Sequence, residues 1–487
     1  LGGNMEQKLM FEKILVANRS EIAVRIMRSA RELGIKTVAI YEETDKDSYH
    51  ITQGDEAVCV GPGPRKDYLN IDGIIKAAKK AGAEAIHPGY GFLAENPDFS
   101  KACNDADLVF IGPPHDVIRN LGSKVIARRL AKESNIPVIP ATETLSQGAE
   151  GEEEAIAFAA EYGYPIMIKA VAGGGGRGIR QVDDEKALLA GIKQSRSEAL
   201  MSFGNDEVYL EKCVQRPQHI EVQILADKYG NVVHLGTRNC SIQRRHQKLI
   251  EMAPAVLKKP LAEEICGAAV RAAKAADYLS AGTVEFLVEP DGTFYFLEVN
   301  TRIQVEHTVT EMVTGIDLVR EQLLIALGEP VGFSQDQVVE RGYAIELRIN
   351  AEDPKNEFFA SPGVVQVYQA PGGHGVRLDG SIYQGYEIPR YYDSMLVKLT
   401  VYGYTWQEAV DRLARALDGF VIIGVKTTIP YFQQILQEPD FIQMKFDTSY
   451  IDTHPHLVDY LEEEREMEKI ARLIAEINAH GYNPHAK

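Results

Sequence analysis

Two runs rich in apolar residues, Thr283-Val-Glu-Phe-Leu-Val288 and Phe294-Tyr-Phe-Leu-Glu-Val-Asn300, are separated only by Glu289-Pro-Asp-Gly-Thr293. Such runs read as strands, and Asp291-Gly292 is a favoured pair for a two-residue hairpin turn. With those two residues as the turn, Pro290 faces Thr293 and Glu285 faces Glu298. Carboxylates opposed on neighbouring strands repel unless a cation lies between them. Asn300, two residues on, shares their face. Two carboxylates and an amide oxygen suit a hard divalent ion, Mg2+ or Mn2+, completed by phosphate oxygens and water. The alternative is a surface hairpin with solvated acids. Phe286, Val288, Phe296 and Val299 anchor the hairpin in a core and favour the metal.

The alternation runs on through Glu298, Asn300, Arg302, Gln304 and Glu306. If the chain stays extended, these polar side chains line one face while Val299, Ile303 and Val305 point away. Arg302 is then placed to fork onto a small carboxylate-like anion, and Glu306 to act on it as a general base.

Upstream the pattern is α/β. Lys13-Ile-Leu-Val-Ala17 is a strand, Ser20 is a candidate cap, and Ile22, Ala23, Ile26, Met27, Ala30 and Leu33 recur at helical spacing up to Gly34. Thr37-Val-Ala-Ile-Tyr41 completes a βαβ unit. A second unit has a helix over 72–81 and the strand Ala85-Ile-His-Pro88; a third ends at Leu108-Val-Phe-Ile111. The turn Asn18-Arg19-Ser20 carries no GxGxxG, so a dinucleotide site is not indicated. Residues 113–138 read as helical, and the acidic run Gln147–Glu154 marks a boundary.

Ala172-Gly-Gly-Gly-Gly-Arg-Gly-Ile179 follows the strand Pro165–Ala170, with Glu207–Glu211 as a further strand. Consecutive glycines expose backbone N–H groups and allow positive φ, which lets a loop wrap a phosphate, and Lys169 supplies a charge beside it. No Gly-Lys-Ser/Thr closes the loop, so it is not a Walker A motif. Arg238, Arg244, Arg245, His246 and Lys248 fall within one short segment. It is either a solvated basic loop or a local anion well. Cys240, with no base assigned to it, reads as structural.

With 487 residues, two to four domains are expected. Lys and Arg number 52 against 70 Asp and Glu, and the net charge of −18 argues against a nucleic-acid or membrane-surface binder. No stretch approaches the roughly 20 apolar residues of a membrane span. Leu1-Gly-Gly-Asn4 reads as an appendage outside the fold, and the segment after Met5 does not read as a signal peptide. Five scattered cysteines without a CxxC point away from disulfide or zinc scaffolds and towards a cytoplasmic setting.

Together the motifs resemble biotin carboxylase, an ATP-grasp family: Ile-Leu-Val-Ala-Asn-Arg at 14–19, His-Pro-Gly-Tyr-Gly-Phe-Leu-Ala-Glu-Asn at 87–96, the glycine run at 173–178, Cys-Ser-Ile-Gln-Arg-Arg-His-Gln-Lys at 240–248, Glu-Val-Asn-Thr-Arg-Ile-Gln-Val-Glu-His at 298–307 and Tyr-Tyr-Asp-Ser-Met at 391–395. The similarity runs from about Phe11 to Tyr450, and the motifs occur in the family's order. The resemblance implies an α/β (α+β overall) fold: a Rossmann-like N-terminal domain (11–122), linker helices with an ATP-grasp lid (123–213), an ATP-grasp core (214–340), a β-rich C-terminal biotin carboxylase domain (341–455) and a charged helical tail (456–487).

It also implies roles. ATP falls to Lys124, Lys169, the lid glycines Gly173, Gly174, Gly175, Gly176 and Gly178 with Arg177, the hinge residues Glu211, Lys212 and Val214, and His219, Gln243 and His246. Glu285, Glu298 and nearby Asn300 hold Mg2+ or Mn2+. Lys248, Arg302, Gln304 and the Val305 backbone bind bicarbonate, Glu306 deprotonates it, Arg348 stabilises the biotin enolate and Asp393 supports the site.

Two departures stand out: Ser20 where the family has glycine, and an acidic segment and tail that look less typical. No Ala-Met-Lys-Met is present, so biotin is expected on a separate carrier protein, with a carboxyltransferase as further partner and a homodimer implied. Another ATP-grasp ligase would share the hairpin and the glycine loop, but not Arg302–His307 together with Glu346-Leu-Arg348. A non-catalytic nucleotide-binding scaffold would not need the full set of ligands. The final acceptor, whether acetyl-CoA, propionyl-CoA, pyruvate or 2-oxoglutarate, is not written in the sequence.

Overall fold

The computed structural model describes residues 11–171 and 179–461, together with 469, 470, 472–475 and 477. Gly173–Gly178 and most of the tail segment lie outside the described residues.

β1 (Lys13–Val16), β2 (Lys36–Glu42), β3 (Glu56–Gly61), β4 (Ala85–His87) and β5 (Val109–Phe110) form a parallel sheet in the order β3-β2-β1-β4-β5. A parallel sheet is covered on both faces, which is why β1 is an unbroken apolar run rather than an alternating one. The helix α1 (Ser20–Glu32) buries Ile22, Ala23, Ile26, Met27 and Ala30 in one cluster with Ile14 and Val16. Gly34, at φ +73°, takes the left-handed turn that ends the helix. Ser20 does not cap it. At φ +56° it lacks the extended backbone of a capping residue, and its hydroxyl lies 2.6 Å from that of Ser381. The acidic run expected to mark a boundary is itself structured. It opens the helix Gly148–Tyr162, and Glu154 folds back to accept from the Ser146 N–H and hydroxyl.

β6 (Ile166–Ala170), β7 (Ile179–Val182) and β8 (Val208–Lys212) make a small antiparallel sheet with its own apolar cluster. The largest sheet holds β9 (Gln218–Ala226), β10 (Val232–Arg244), β11 (Gln247–Ala253), β12 (Ser280–Val288), β13 (Phe294–Asn300) and β14 (Tyr343–Asn350), with two later strands, Met395–Gly403 and Val376–Gly380. Its order among the described residues is β13-β12-β9-β10-β11-β14, then Met395–Gly403 and Val376–Gly380. On β9, Ile220, Val222 and Ile224 pack against the alanine-rich helix Lys259–Ala275. The intervening His219, Glu221 and Gln223 are also buried, on the opposite face.

The hairpin places Glu285 opposite Glu298, but not by a two-residue turn. The Glu289 N–H donates to the Thr293 carbonyl at 2.8 Å, so Pro290, Asp291 and Gly292 form a three-residue loop, with Gly292 at φ +95°. Near the turn the pairs are Val288↔Phe294 and Phe286↔Phe296. A bulge at Leu297, 38% exposed, then restores the pairing that sets the acids face to face. Among the described residues no helix is long and apolar enough to cross a membrane.

Candidate functional site

A cavity of about 1230 Å³ opens between the N-terminal sheet, the large sheet and the 391–395 loop. Its lining includes Lys124, Val214, His219, Gln243, His246, Lys248, Glu285, Glu298, Asn300, Arg302, Gln304, Val305, Arg348 and Asp393.

At its floor Lys248, on β11, donates to three carboxylates: Glu221, Glu285 at 3.1 Å and Glu306 at 2.7 Å. Burial alone would lower this ammonium's pKa, but Glu221, Glu285 and Glu306 more than offset that and raise it well above the ordinary lysine value. One cation cannot neutralise three buried acids equally. Burial pushes Glu221 up, whereas Glu285, despite its burial, is held well below the usual range by Lys248 and His219. Burial and the Glu285 charge push Glu298 up. A cross-strand acid pair with one member pushed towards its neutral form is a place where a divalent ion would supply the missing positive charge. Asn300 and Gln304 donate to Glu285 at 2.8 and 3.0 Å. Among the described residues two further sets of potential ligand atoms fall within 4.8 Å of one another: His219, Glu221 and Glu285, and Glu221, Cys240 and Glu306.

After Asn300 the strand ends, and the chain turns through 301–306 into the helix His307–Thr314. The extended alternation therefore stops short, because a helix begins where Glu306 was expected on the strand face. The polar residues still converge. The Arg302 guanidinium donates to Asn300 Oδ1 (3.0 Å), to Gln304 Oε1 (3.3 Å) and to Glu95 (2.9 Å). Val305, expected to point away, lines the cavity because it sits in the turn. Glu306 is 0% exposed, outside the cavity lining, with Lys248 on one oxygen and Arg348 on the other at 2.9 Å. Burial would raise its pKa; Lys248, Arg348 and Arg238 prevail and hold it well below the usual carboxylate range. Arg348 also donates to Glu251, whose carboxyl burial pushes up to about 7 against the Arg348 charge.

Some expected residues lie elsewhere. Lys169 pairs with Glu211, and Lys212 with Glu289 and Tyr295. None of these lines the cavity. The basic segment is a strand hairpin rather than a loop. Its Arg238 is no anion ligand: fully buried, it donates to Glu221, Gln223, Thr283 and Thr310. Arg244 and Arg245 pair with Glu357. Cys240 is buried and burial pushes its thiol well up, so it is no nucleophile. Sequence reasoning missed Glu221, Glu251, Glu346 and Lys398. Each is a charged residue flanked on both sides by apolar ones within a strand, and that setting is the signal that would have found them.

Models of the biotin carboxylase N-terminal domain and C-terminal domain match residues 10–118 and 346–453. The model of the carbamoyl-phosphate synthase L chain ATP-binding domain matches 123–333. Biotin carboxylase 1 of Bacillus subtilis is 51% identical over 449 residues, covering 91% of this chain and 99% of that protein. The chain belongs to the biotin carboxylase family. The 2-oxoglutarate carboxylase small subunit of Hydrogenobacter thermophilus is 48% identical over 469 residues, covering 96% of this chain and 99% of that one. The biotin carboxylase domain dimer of the Hydrogenobacter thermophilus 2-oxoglutarate carboxylase, solved with MgADP, ADP and bicarbonate, superposes with a TM-score of 0.85 at 48% identity. That match covers 93% of this chain and 100% of the solved one. The ATP-binding module alone is shared with other ligases, but the two flanking biotin carboxylase domains make this chain an ATP-dependent ligase of the biotin carboxylase kind.

Proposed function

We propose that this chain uses MgATP and bicarbonate to carboxylate biotin held on a separate carrier protein. The observation that carries the reading is the clasp on Glu306, in which Lys248 and Arg348, from adjacent strands, hold its two oxygens. Bicarbonate binds at Arg302, Gln304, Lys248 and the Val305 N–H. A further anion beside Glu306 raises that carboxylate's proton affinity and makes it a competent base. The deprotonated bicarbonate attacks the γ-phosphorus, ADP leaves and carboxyphosphate results. Lys124 and Lys248 offset the growing negative charge, and Mg2+ at Glu285, Glu298 and Asn300 neutralises phosphate oxygens when bound. Carboxyphosphate splits into CO2 and phosphate, the phosphate takes the biotin N1′ proton, and the nitrogen attacks CO2 while Arg348 stabilises the enolate.

ATP is assigned to the hinge residues Glu211, Lys212 and Val214, to His219, Gln243 and His246 around the ribose and phosphates, and to Lys124, Lys169 and Gly173–Gly178 at the phosphates. The same reading divides the chain at 122/123, 213/214, 340/341 and 455/456. It makes the protein a cytoplasmic homodimeric subunit that works with a biotin carrier and a carboxyltransferase.

The test is ATP hydrolysis by the pure protein with bicarbonate and free biotin, alongside the Glu306→Gln variant. Biotin-dependent hydrolysis is expected, falling by about 10²-fold or more in the variant while ADP binding persists. Hydrolysis indifferent to biotin would indicate another ATP-grasp ligase. Near-normal turnover in the variant would remove Glu306 as the base.

A further inference from the structure

Lys398 is 0% exposed, set between Val397 and Leu399 on the strand Met395–Gly403. Burying an ammonium is costly unless it is paired and hydrogen-bonded. Its Nζ donates to the Val305 carbonyl at 2.9 Å and lies 3.2 Å from Glu21 of α1. The strand Met395–Gly403 and α1 thus meet at the ammonium that holds one carbonyl of the turn leading into Glu306.

The preceding peptide is held as well. His307 is fully buried, and its Nδ1 lies 2.7 Å from the Gln304 carbonyl. A carbonyl only accepts, so this nitrogen carries the proton. The Gln304 carbonyl and the Val305 N–H are opposite ends of one planar trans peptide. Drawing the carbonyl inward to His307 therefore aims the N–H outward, and Val305 lines the cavity. Among the described residues no acceptor meets that N–H.

We propose that Lys398 and His307 are positioning residues that lock the two successive peptides of 304–306, so that the Val305 N–H stands ready for bicarbonate and Glu306 is fixed beside it. The inference rests on the bicarbonate site proposed above. Neither side chain touches substrate. Each acts through the backbone it holds, and its loss is felt in bicarbonate binding rather than in ATP binding.

The experiment measures bicarbonate-dependent ATP hydrolysis at varied bicarbonate and varied ATP. Lys398→Met is made together with Glu21→Gln, so that the carboxylate in ion-pair contact with Lys398 is not left facing a missing cation. The double variant is expected to raise the KM for bicarbonate about tenfold, with the KM for ATP within about twofold and melting unchanged. His307→Leu is expected to act in the same direction. His307→Asn, which keeps a donor N–H near the Nδ1 position, restores most of the loss. A folded double variant with the wild-type bicarbonate KM overturns the proposal, as does a parallel rise in both KM values or an Asn variant no better than Leu. If the double variant does not fold, the His307 pair decides. Failure of the underlying function would show separately, as ATP hydrolysis by the wild-type protein that ignores bicarbonate.

Discussion

Arg238 is the sharpest test of how the floor of the site is built. Its guanidinium is fully buried and donates to Glu221 at 3.0 and 3.1 Å, to Gln223 at 2.7 Å, to Thr310 at 3.1 Å and to Thr283 at 3.0 Å. In Arg238→Met the chain volume stays similar and the charge goes. Breaking a buried ion pair from one side costs about 3–5 kcal/mol. The stranded Gln223 oxygen adds about 1–3 kcal/mol, while the two hydroxyls can rotate to other partners. Lys248 still holds the other oxygen of Glu221 and selects the lower end, so a loss of about 4 kcal/mol is expected. Neutralising the acid as well, in Arg238→Met/Glu221→Gln, should recover about half of that loss. Urea unfolding of the single and double variants, compared at constant m-value, reads both numbers. A single-variant cost below about 1 kcal/mol, or a double variant no more stable than the single, would refute the view of Arg238 as a buried strut.

Two further outcomes are expected from the structure. Burial pushes Glu346 up to about 8, against the opposing charge of Lys398. The folded state therefore keeps a proton that the unfolded chain releases near 4.5, and stability falls as pH rises from there towards about 8. Glu346→Gln should flatten that part of the stability–pH curve, and an unchanged slope would show that the proton resides elsewhere. Gly424 sits at φ +112°, where an added Cβ would lie 2.1 Å from the Val364 carbonyl oxygen. Gly424→Ala should therefore lower stability by more than about 1 kcal/mol, read by thermal melting; a neutral effect would mean that the loop relaxes.

Much of the fold was legible because it rests on local patterns. The βαβ units show as apolar runs punctuated by glycine, and the parallel sheet follows from them. The acid pair was legible too, although two irregularities cancelled in reaching it: a loop one residue longer than expected, and a bulge at Leu297 that absorbs the difference. What the sequence hid was long-range. Ser20 has a capping residue's chemistry, but its hydroxyl is engaged by Ser381, far along the chain. Arg238 looks like its neighbours Arg244 and Arg245, yet only the folded sheet shows that it points into the interior. The extended face beyond Asn300 failed for a local reason, since the strand ends there and the chain turns through 301–306 into the helix at His307.

Glu306 has one further consequence, for timing. Lys248 and Arg348 serve different halves of the proposed reaction, yet their nitrogens lie 2.7 and 2.9 Å from the two oxygens of the same carboxylate. A short-lived carboxylating species made beside one cation is thus already within a few ångströms of the other. It needs no channel and no excursion through solvent. Its survival depends on the rate of the next bond rather than on the length of a path, and a slow variant at Arg348 should waste ATP rather than merely slow down.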